Sequence, residues 1–174
     1  MKKIIGGIIL TLLFTVFYEV SSNKKIIPDD AIRLRVLANS DSNYDQSIKE
    51  KVKTELQSDV YAYLKDANNI VEARNIIKTN LNNFDKKIND VLKKENYNLG
   101  YNINFGSHYF PKKVYKGIEY DEGYYESILV KLGEGKGSNW WCVLFPPLCL
   151  LEAEESTEVE YKFFVQEIID KFLN

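Results

Sequence analysis

Three residues carry the imidazole or thiol groups that often serve in nucleophilic and metal chemistry: one histidine, His108, and two cysteines, Cys142 and Cys149. A cysteine nucleophile needs a neighbouring base, and His108 is the one imidazole that could serve Cys142. Nothing in the sequence brings these two side chains together, so an ordinary strand-end histidine is the favoured interpretation. One histidine and two cysteines also cannot complete a four-ligand zinc site without carboxylates. We therefore expect no enzymatic activity, no metal and no cofactor, with an exported cysteine-dependent hydrolase acting on cell wall or peptide as the alternative.

A glycine-rich segment, Gly133-Glu-Gly-Lys-Gly-Ser138, follows a predicted strand and has the composition of a phosphate-binding loop. Its spacing does not match G-x-x-x-x-G-K-[ST], and it leads into Asn139 and two tryptophans, where no helix N-terminus is predicted to hold a phosphate. A turn between two strands is the better interpretation.

Both tryptophans and both cysteines lie between Asn139 and Cys149. In an exported protein an even pair of cysteines favours a disulfide, and the alternative is two buried thiols that pack as small apolar groups. The Pro-Pro bend between the cysteines is compatible with the bond. The aromatic and proline side chains of this segment either fill the core or contact a partner: Trp140, Trp141, Phe145, Pro146 and Pro147.

The N-terminal 22 residues have the pattern of an export signal, because Lys2 and Lys3 precede an apolar run that ends before Glu19. The run is shorter than the ~20 residues of a free-standing span, yet no A-x-A-like cleavage site follows it. A cleaved signal peptide and an uncleaved signal anchor therefore both stay open, with a buried first helix as a third interpretation. Residues 23–30 read as a linker, and residues 31–174 as a single exported domain.

Hydrophobic periodicity predicts the elements of that domain. Ile32–Leu37 alternates apolar and basic residues, as a strand with one buried face does. Two stripes with helical spacing follow at 48–63 and 70–91, and they are close enough to form a helical hairpin. Period-two segments at 101–105 and 124–132 predict strands, and a stripe at 161–172 predicts a closing helix. We expect an α+β fold in which an antiparallel sheet of three to four strands carries the helical hairpin and the C-terminal helix on one face.

The composition limits the class of protein. Apolar residues make up 45% and charged residues 28% of the chain, as in an ordinary globular protein, and the net charge is -2. Basic and acidic residues nearly cancel, so no nucleic-acid partner is expected.

Two segments resemble one known family, the stage II sporulation protein R family. The first begins Ile-Arg-Leu-Arg-Val-Leu at Ile32, and the second is the Gly-Glu-Gly-Lys-Gly-Ser-Asn-Trp-Trp-Cys run that starts at Gly133. The residues that carry the resemblance are Arg33, Asn39, Ser40, Asp41, Ser42, Asp45, Gln46, Gly133, Gly135, Gly137 and Asn139.

This resemblance implies a role in endospore formation. Proteins of this family are made in the forespore and exported into the space between the two cell membranes. There they are needed to activate a membrane-embedded aspartic protease of the mother cell, which processes a sporulation sigma-factor precursor. The resemblance assigns no catalytic residues. It implies a signalling protein whose partner is the extracytoplasmic face of that protease, with membrane contact through the N-terminal segment if it stays uncleaved.

Overall fold

The computed structural model describes residues 27–151 and 158–173 of the chain. The predicted export signal and half of the predicted linker, residues 23–26, lie outside these residues. Within the described ranges no helix is long and apolar enough to cross a membrane. The elements, in chain order, are β1 (Ile32–Leu37), α1 (Asn43–Leu64), α2 (Ile70–Lys94), β2 (Tyr101–Phe110), β3 (Lys113–Tyr115), β4 (Ile118–Tyr120), β5 (Gly123–Leu132), β6 (Asn139–Phe145), a 3-10 turn (Leu148–Leu151) and α3 (Glu158–Leu173).

Four of the strands form one sheet in the order β2-β5-β1-β6. The α+β class is confirmed, but the expectation of an antiparallel sheet is wrong at one ladder, because β1 runs parallel to β5. The β1–β6 and β2–β5 ladders are antiparallel. The physical reason is insertion: β5 and β6 follow each other in sequence, yet β1 lies between them and takes both as hydrogen-bonding neighbours. Strand periodicity reports which residues are buried and carries no information on strand order.

The helical hairpin forms as its stripes predicted. Ser42 caps α1 by accepting a hydrogen bond from the Asp45 N–H, and Asn69 caps α2 by accepting one from the Glu72 N–H. The apolar stripes of both helices pack against the side of the sheet that carries Ile32, Leu34 and Val36, called here the hairpin face. Each fully buried aliphatic or phenyl side chain in this layer contributes about 1.5–3 kcal/mol of transfer free energy. The hairpin face therefore holds the larger of the two cores.

The opposite side of the sheet, called here the arginine face, carries Arg33 and Arg35 of β1. A second core lies on it, so the expectation that all helices share one face is wrong. Tyr161 and Val165 of α3 pack there, beside the small β3–β4 hairpin that forms within the predicted polar connection 112–123. Its apolar members are Ile27, Ala31, Phe110, Ile118, Tyr120, Tyr125, Trp141, Val143, Leu148, Tyr161 and Val165.

Candidate functional site

The glycine-rich segment 133–138 crosses the end of β1, because it joins two strands that flank β1. Its backbone bonds to the chain that leaves β1: the Gly137 N–H donates to Ala38 O at 3.0 Å, and the Lys136 N–H donates to Asn39 O at 3.1 Å. The Glu134 N–H also donates to Asn39 Oδ1, at 2.9 Å. The two segments that resemble the family motif thus meet in one place, called here the motif junction (residues 38–46 and 133–139).

The glycines of the motif junction are required by space and by backbone angle. A Cβ on Gly137 would lie 2.2 Å from the backbone oxygen of Ser40, which cannot move away without breaking the loop. A Cβ on Gly133 would lie 2.4 Å from Asn39 Oδ1, and Gly133 has φ +52°. These positions admit only glycine without local rearrangement. The turn interpretation of this segment therefore has a structural reason: the two chains pass in direct backbone contact.

Asp45 anchors the other half of the junction from the first turn of α1. The side chain is only 5% exposed, and its Oδ2 accepts hydrogen bonds from Ser40 Oγ and, at 2.9 Å, from Asn39 Nδ2. These hydrogen bonds, with Ser40 the strongest, hold the pKa of the Asp45 carboxyl below its usual range. The ionised carboxylate fixes the loop that receives the crossing segment.

Asp41 and Gln46 complete the junction from the α1 side. The Ser138 N–H donates to Asp41 Oδ1 at 2.6 Å, and this hydrogen bonding lowers the pKa of the Asp41 carboxyl. Gln46 Nε2 donates to Ser40 O at 2.9 Å. Asn139, the next motif residue, is exposed and pairs with Leu37 at the start of β6. The polar motif residues thus build a rigid connection between the helical hairpin and the sheet.

Arg33 is the motif residue with the least expected environment. Alternation with apolar residues predicted a solvent-facing side chain, whereas Arg33 is 1% exposed. Its guanidinium carbon lies 3.3 Å from the centroid of the Tyr125 ring, and 5.0 Å and 4.9 Å from those of Phe110 and Trp141. Among the described residues, Nε and Nη1 have no hydrogen-bond partner. Burial lowers the pKa of this guanidinium, and the faces of three aromatic rings supply its electrostatic compensation.

Arg35, two residues on, lies on the same face but at the border of the covered region. Its Nη1 donates to Tyr109 O at 2.9 Å, which places the guanidinium over the outer strand β2. The guanidinium carbon of Arg35 lies 5.4 Å from the centroid of the Phe110 ring. Sequence reasoning did not select Arg35, Phe110 or Tyr125 as a group. The available signal was the pair of arginines at alternate positions of an otherwise apolar strand.

His108 and Cys142 are not brought together. They lie on β2 and β6, the two outer strands of the sheet, and they project from opposite faces. His108 Nδ1 lies 2.8 Å from Oγ of Ser127, a fully buried residue. Burial, and secondarily Arg35, lowers the pKa of His108. The Cys–His pair of the hydrolase alternative is therefore absent from this arrangement.

Cys142 and Cys149 form a disulfide with a Cα–Cα distance of 5.3 Å. The sequence left two alternatives, a disulfide and two buried thiols, and the structure contains the disulfide. The bridge joins β6 to the 3-10 turn, and Gln57 Nε2 of α1 donates to Cys149 O beside it. In this state neither sulfur is available as a thiolate nucleophile.

The tryptophan segment divides between the two faces of the sheet. Trp141 is 7% exposed on the arginine face and makes edge contacts with Phe110 and Tyr120, at centroid distances of 5.4 Å and 5.3 Å. Trp140 is half-buried on the hairpin face, with Lys53 Nζ 5.2 Å from its ring centroid.

The residues after β6 close this segment. Phe145 and Pro146 are buried, and Pro147 is half-buried. Trp141 and Phe145 thus have core environments, whereas Trp140 and Pro147 retain surface. Whether these two contact a partner stays a prediction.

Within residues 27–151 and 158–173, no group of three or more histidine, cysteine or acidic side chains is arranged to hold a metal ion.

Comparison with known proteins agrees with the geometry of the motif junction. The family profile of stage II sporulation protein R matches residues 28–155, which include both motif segments. Stage II sporulation protein R of Bacillus subtilis (strain 168) is 42% identical over 135 residues, covering 78% of this chain and 60% of that protein. The chain thus spans less than two thirds of the length of this relative. No solved structure matches. The chain belongs to the stage II sporulation protein R family.

Proposed function

We propose that the chain is an exported sporulation signalling protein that activates a membrane-embedded aspartic protease of the mother cell, leading to processing of a sporulation sigma-factor precursor. Family membership over residues 28–155 is the observation that carries the proposal. In this proposal the chain is made in the forespore and acts in the space between the two membranes, either secreted or held by its N-terminal segment.

The disulfide supports the extracytoplasmic location. Disulfides persist in oxidising compartments and are rare in the cytosol, where thiols are kept reduced. The Cys142–Cys149 bridge lies inside the matched family region and is buried, with exposed fractions of 8% and 4% for the two residues. A buried bridge of this kind fits a protein that works outside the cytoplasm.

Activation by binding is favoured by a rigid ligand. A ligand shifts its partner between two states only by its difference in affinity for them, and a preorganised surface loses little conformational entropy on docking. The motif junction provides rigidity, because hydrogen bonds of Asp45 and Gln46 tie the start of α1 to the loop that the crossing segment contacts. The domain therefore presents its surfaces in a fixed relation to one another.

A deletion and complementation experiment tests this function. A sporulating strain that lacks the chain is expected to leave the sigma-factor precursor uncleaved, and the intact chain is expected to restore cleavage. Co-purification of the full chain with the membrane part of the protease should accompany the restored cleavage. Normal precursor processing in the deletion strain would contradict the proposal. His108→Ala separates the hydrolase alternative, which loses its base in this variant, from the signalling protein, which keeps its activity.

A further inference from the structure

The outer strand β2 is an open edge of the sheet. It pairs with β5 over ten residues without a register shift, from Tyr101 opposite Leu132 to Phe110 opposite Gly123. Within the part of the chain that the structure describes, no strand pairs with its other side. Alternate residues of such a strand direct their backbone N–H and C=O groups outward. Another extended backbone can form hydrogen bonds with this whole row of groups.

This edge lacks the features that usually prevent strand addition. The sequence Tyr-Asn-Ile-Asn-Phe-Gly-Ser-His-Tyr-Phe from Tyr101 contains no acidic residue, lysine, arginine or proline. The opposite edge differs: β6 is shorter and has a register shift against β1 between Ile32 and Arg33. Two prolines, Pro146 and Pro147, follow it, whereas one, Pro111, follows β2. Bulges, prolines and charges are the means by which proteins block edge pairing. One edge is blocked, and β2 is left available.

A groove runs beside the open edge on the hairpin face. It has a volume of about 440 Å³ and lies between α2 and β2. Its lining residues are Leu81, Asn82 and Asp85 of the helix and Tyr101, Asn102 and Ile103 of the strand. The Asp85 carboxylate already accepts a hydrogen bond from the Tyr101 hydroxyl at 2.8 Å. A strand added to β2 would direct the hairpin-face side chains nearest Tyr101 and Ile103 into this groove, where Leu81 and Ile103 offer apolar contact.

The other side of an added strand would face positive charge. No acidic residue of β1, β2, β5 or β6 projects from the arginine face. Arg35 reaches β2 through its hydrogen bond to Tyr109 O, so its charge lies about one strand spacing, ~4.8 Å, from an added strand. Lys131 is exposed on the same face, on β5 opposite Asn102 of β2. Carboxylates on the added strand would lie nearest Arg35, while Lys131, whose aliphatic stem lies beside Gly135, adds positive charge about two strand spacings away.

We propose that β2 and its groove form a docking site for an extended segment of the membrane-bound partner in which apolar and acidic side chains alternate. The apolar side chains enter the groove beside α2, and the acidic ones face Arg35 and, at a greater distance, Lys131. A second copy of this chain fits less well, because its own β2 would bring asparagines and no carboxylate to the cations. The inference rests on the proposed function, since it names the surface through which that function works.

Photocrosslinking in sporulating cells tests the proposal. A benzophenone amino acid replaces exposed Asn104 on β2, and in a control strain it replaces Thr79, an exposed residue of α2 that does not line the groove. We expect Asn104 to crosslink to a membrane protein through a peptide with alternating apolar and acidic residues, and Thr79 not to do so. A crosslink to a second copy, a linked peptide without carboxylates, or no crosslink while the precursor is processed would overturn the proposal.

Two pairs of variants separate the groove from the charge. Asn82→Trp fills the groove, with Thr79→Trp as the matched control. Lys131→Glu reverses a charge beside the edge, with exposed Lys65→Glu as its control. Asn82→Trp and Lys131→Glu should each reduce crosslinking and precursor processing roughly tenfold or more, while the controls stay near the unmodified chain.

The deletion strain distinguishes failure of the proposed function from failure of the proposed docking site. If the precursor is processed without the chain, the proposed function fails whatever the edge does. If processing needs the chain but tolerates both Asn82→Trp and Lys131→Glu, only the docking site is overturned. Thermal unfolding of each purified full-length variant shows that a loss of signalling is not a loss of folding.

Discussion

Replacing Gly137 with alanine tests whether the motif junction is held together as the structure shows. The added Cβ would lie 2.2 Å from Ser40 O and 2.4 Å from the Ser40 carbonyl carbon, so the crossing segment must move away from the end of β1. That movement breaks three hydrogen bonds: Gly137 N–H to Ala38 O, Lys136 N–H to Asn39 O, and Ser138 N–H to Asp41 Oδ1.

The expected loss follows from those bonds. At a net value of about 1 kcal/mol each, Gly137→Ala should lower the free energy of unfolding by about 3 kcal/mol, a large part of the 5–15 kcal/mol typical of a domain. For a chain of this length, that corresponds to a decrease in Tm of about 6–12 °C. Urea titration and thermal melting of the purified full chain, with the disulfide intact, measure both quantities.

Gly106→Ala is the matched control. Gly106 lies in β2 with ordinary strand geometry, and its added Cβ meets no atom closer than 3.6 Å. The alanine should therefore leave stability within about 0.5 kcal/mol of the unmodified chain. A Gly137→Ala variant as stable as Gly106→Ala would refute the direct backbone contact between the two motif segments.

Three further outcomes follow from buried groups. Asp45→Asn should cost about 2 kcal/mol at neutral pH, since two hydrogen bonds lose their charged acceptor. Because the folded pKa of Asp45 is lowered, this stabilisation is present above about pH 4 and disappears as the pH falls through the lowered pKa. Urea midpoints of variant and unmodified chain should therefore converge in acid, and a constant gap would contradict the assignment. Arg33→Met should stay within about 1.5 kcal/mol of the unmodified chain, while Arg33→Ala loses about 2–5 kcal/mol, in paired thermal melts. Equal losses would mean that the charge of the guanidinium matters more than its packing. Replacing both Cys142 and Cys149 with alanine should cost about 2.5 kcal/mol by chain entropy, and reduction of the unmodified chain should give the same shift in the urea midpoint. A shift below about 1 kcal/mol would contradict this value.

Local patterns predicted the elements that have one buried side. The alternation at Ile32, Leu34 and Val36 identified β1, and spacings of three and four residues identified both helices of the hairpin, because each stripe reports burial against a single layer. The alternation also predicted that one face of β1 is exposed to solvent, and this prediction was wrong for Arg33. A strand inserted between β5 and β6 is covered on both sides, and that coverage depends on residues about 75 to 110 positions away in sequence, such as Phe110 and Trp141.

The motif junction shows a second kind of limit. The glycines of segment 133–138 were interpreted correctly as a turn, because glycine spacing signals backbone freedom. The sequence did not predict which part of the chain this turn contacts. Its contact partners, Asn39 and Ser40, lie almost a hundred residues earlier in the sequence. The family resemblance assigns both segments to one motif, but only the structure shows that they are in contact. Their contact is a consequence of strand order, which single-sequence patterns do not encode.

The strand order also explains why the two edges of the sheet differ. Insertion of β1 between β5 and β6 makes β6 an edge strand. The register shift within its ladder to β1, the disulfide that starts from its Cys142 and the two prolines after it disfavour further pairing at that edge. The same insertion leaves β2 at the far side, paired on one side by β5. It also places Arg35 so that its guanidinium reaches across β5 to the Tyr109 carbonyl of β2. A protein that must avoid edge-to-edge aggregation would normally protect a ten-residue uncharged strand. An unprotected β2 beside a groove and near the Arg35 cation is consistent with the proposed docking of a partner strand at this edge.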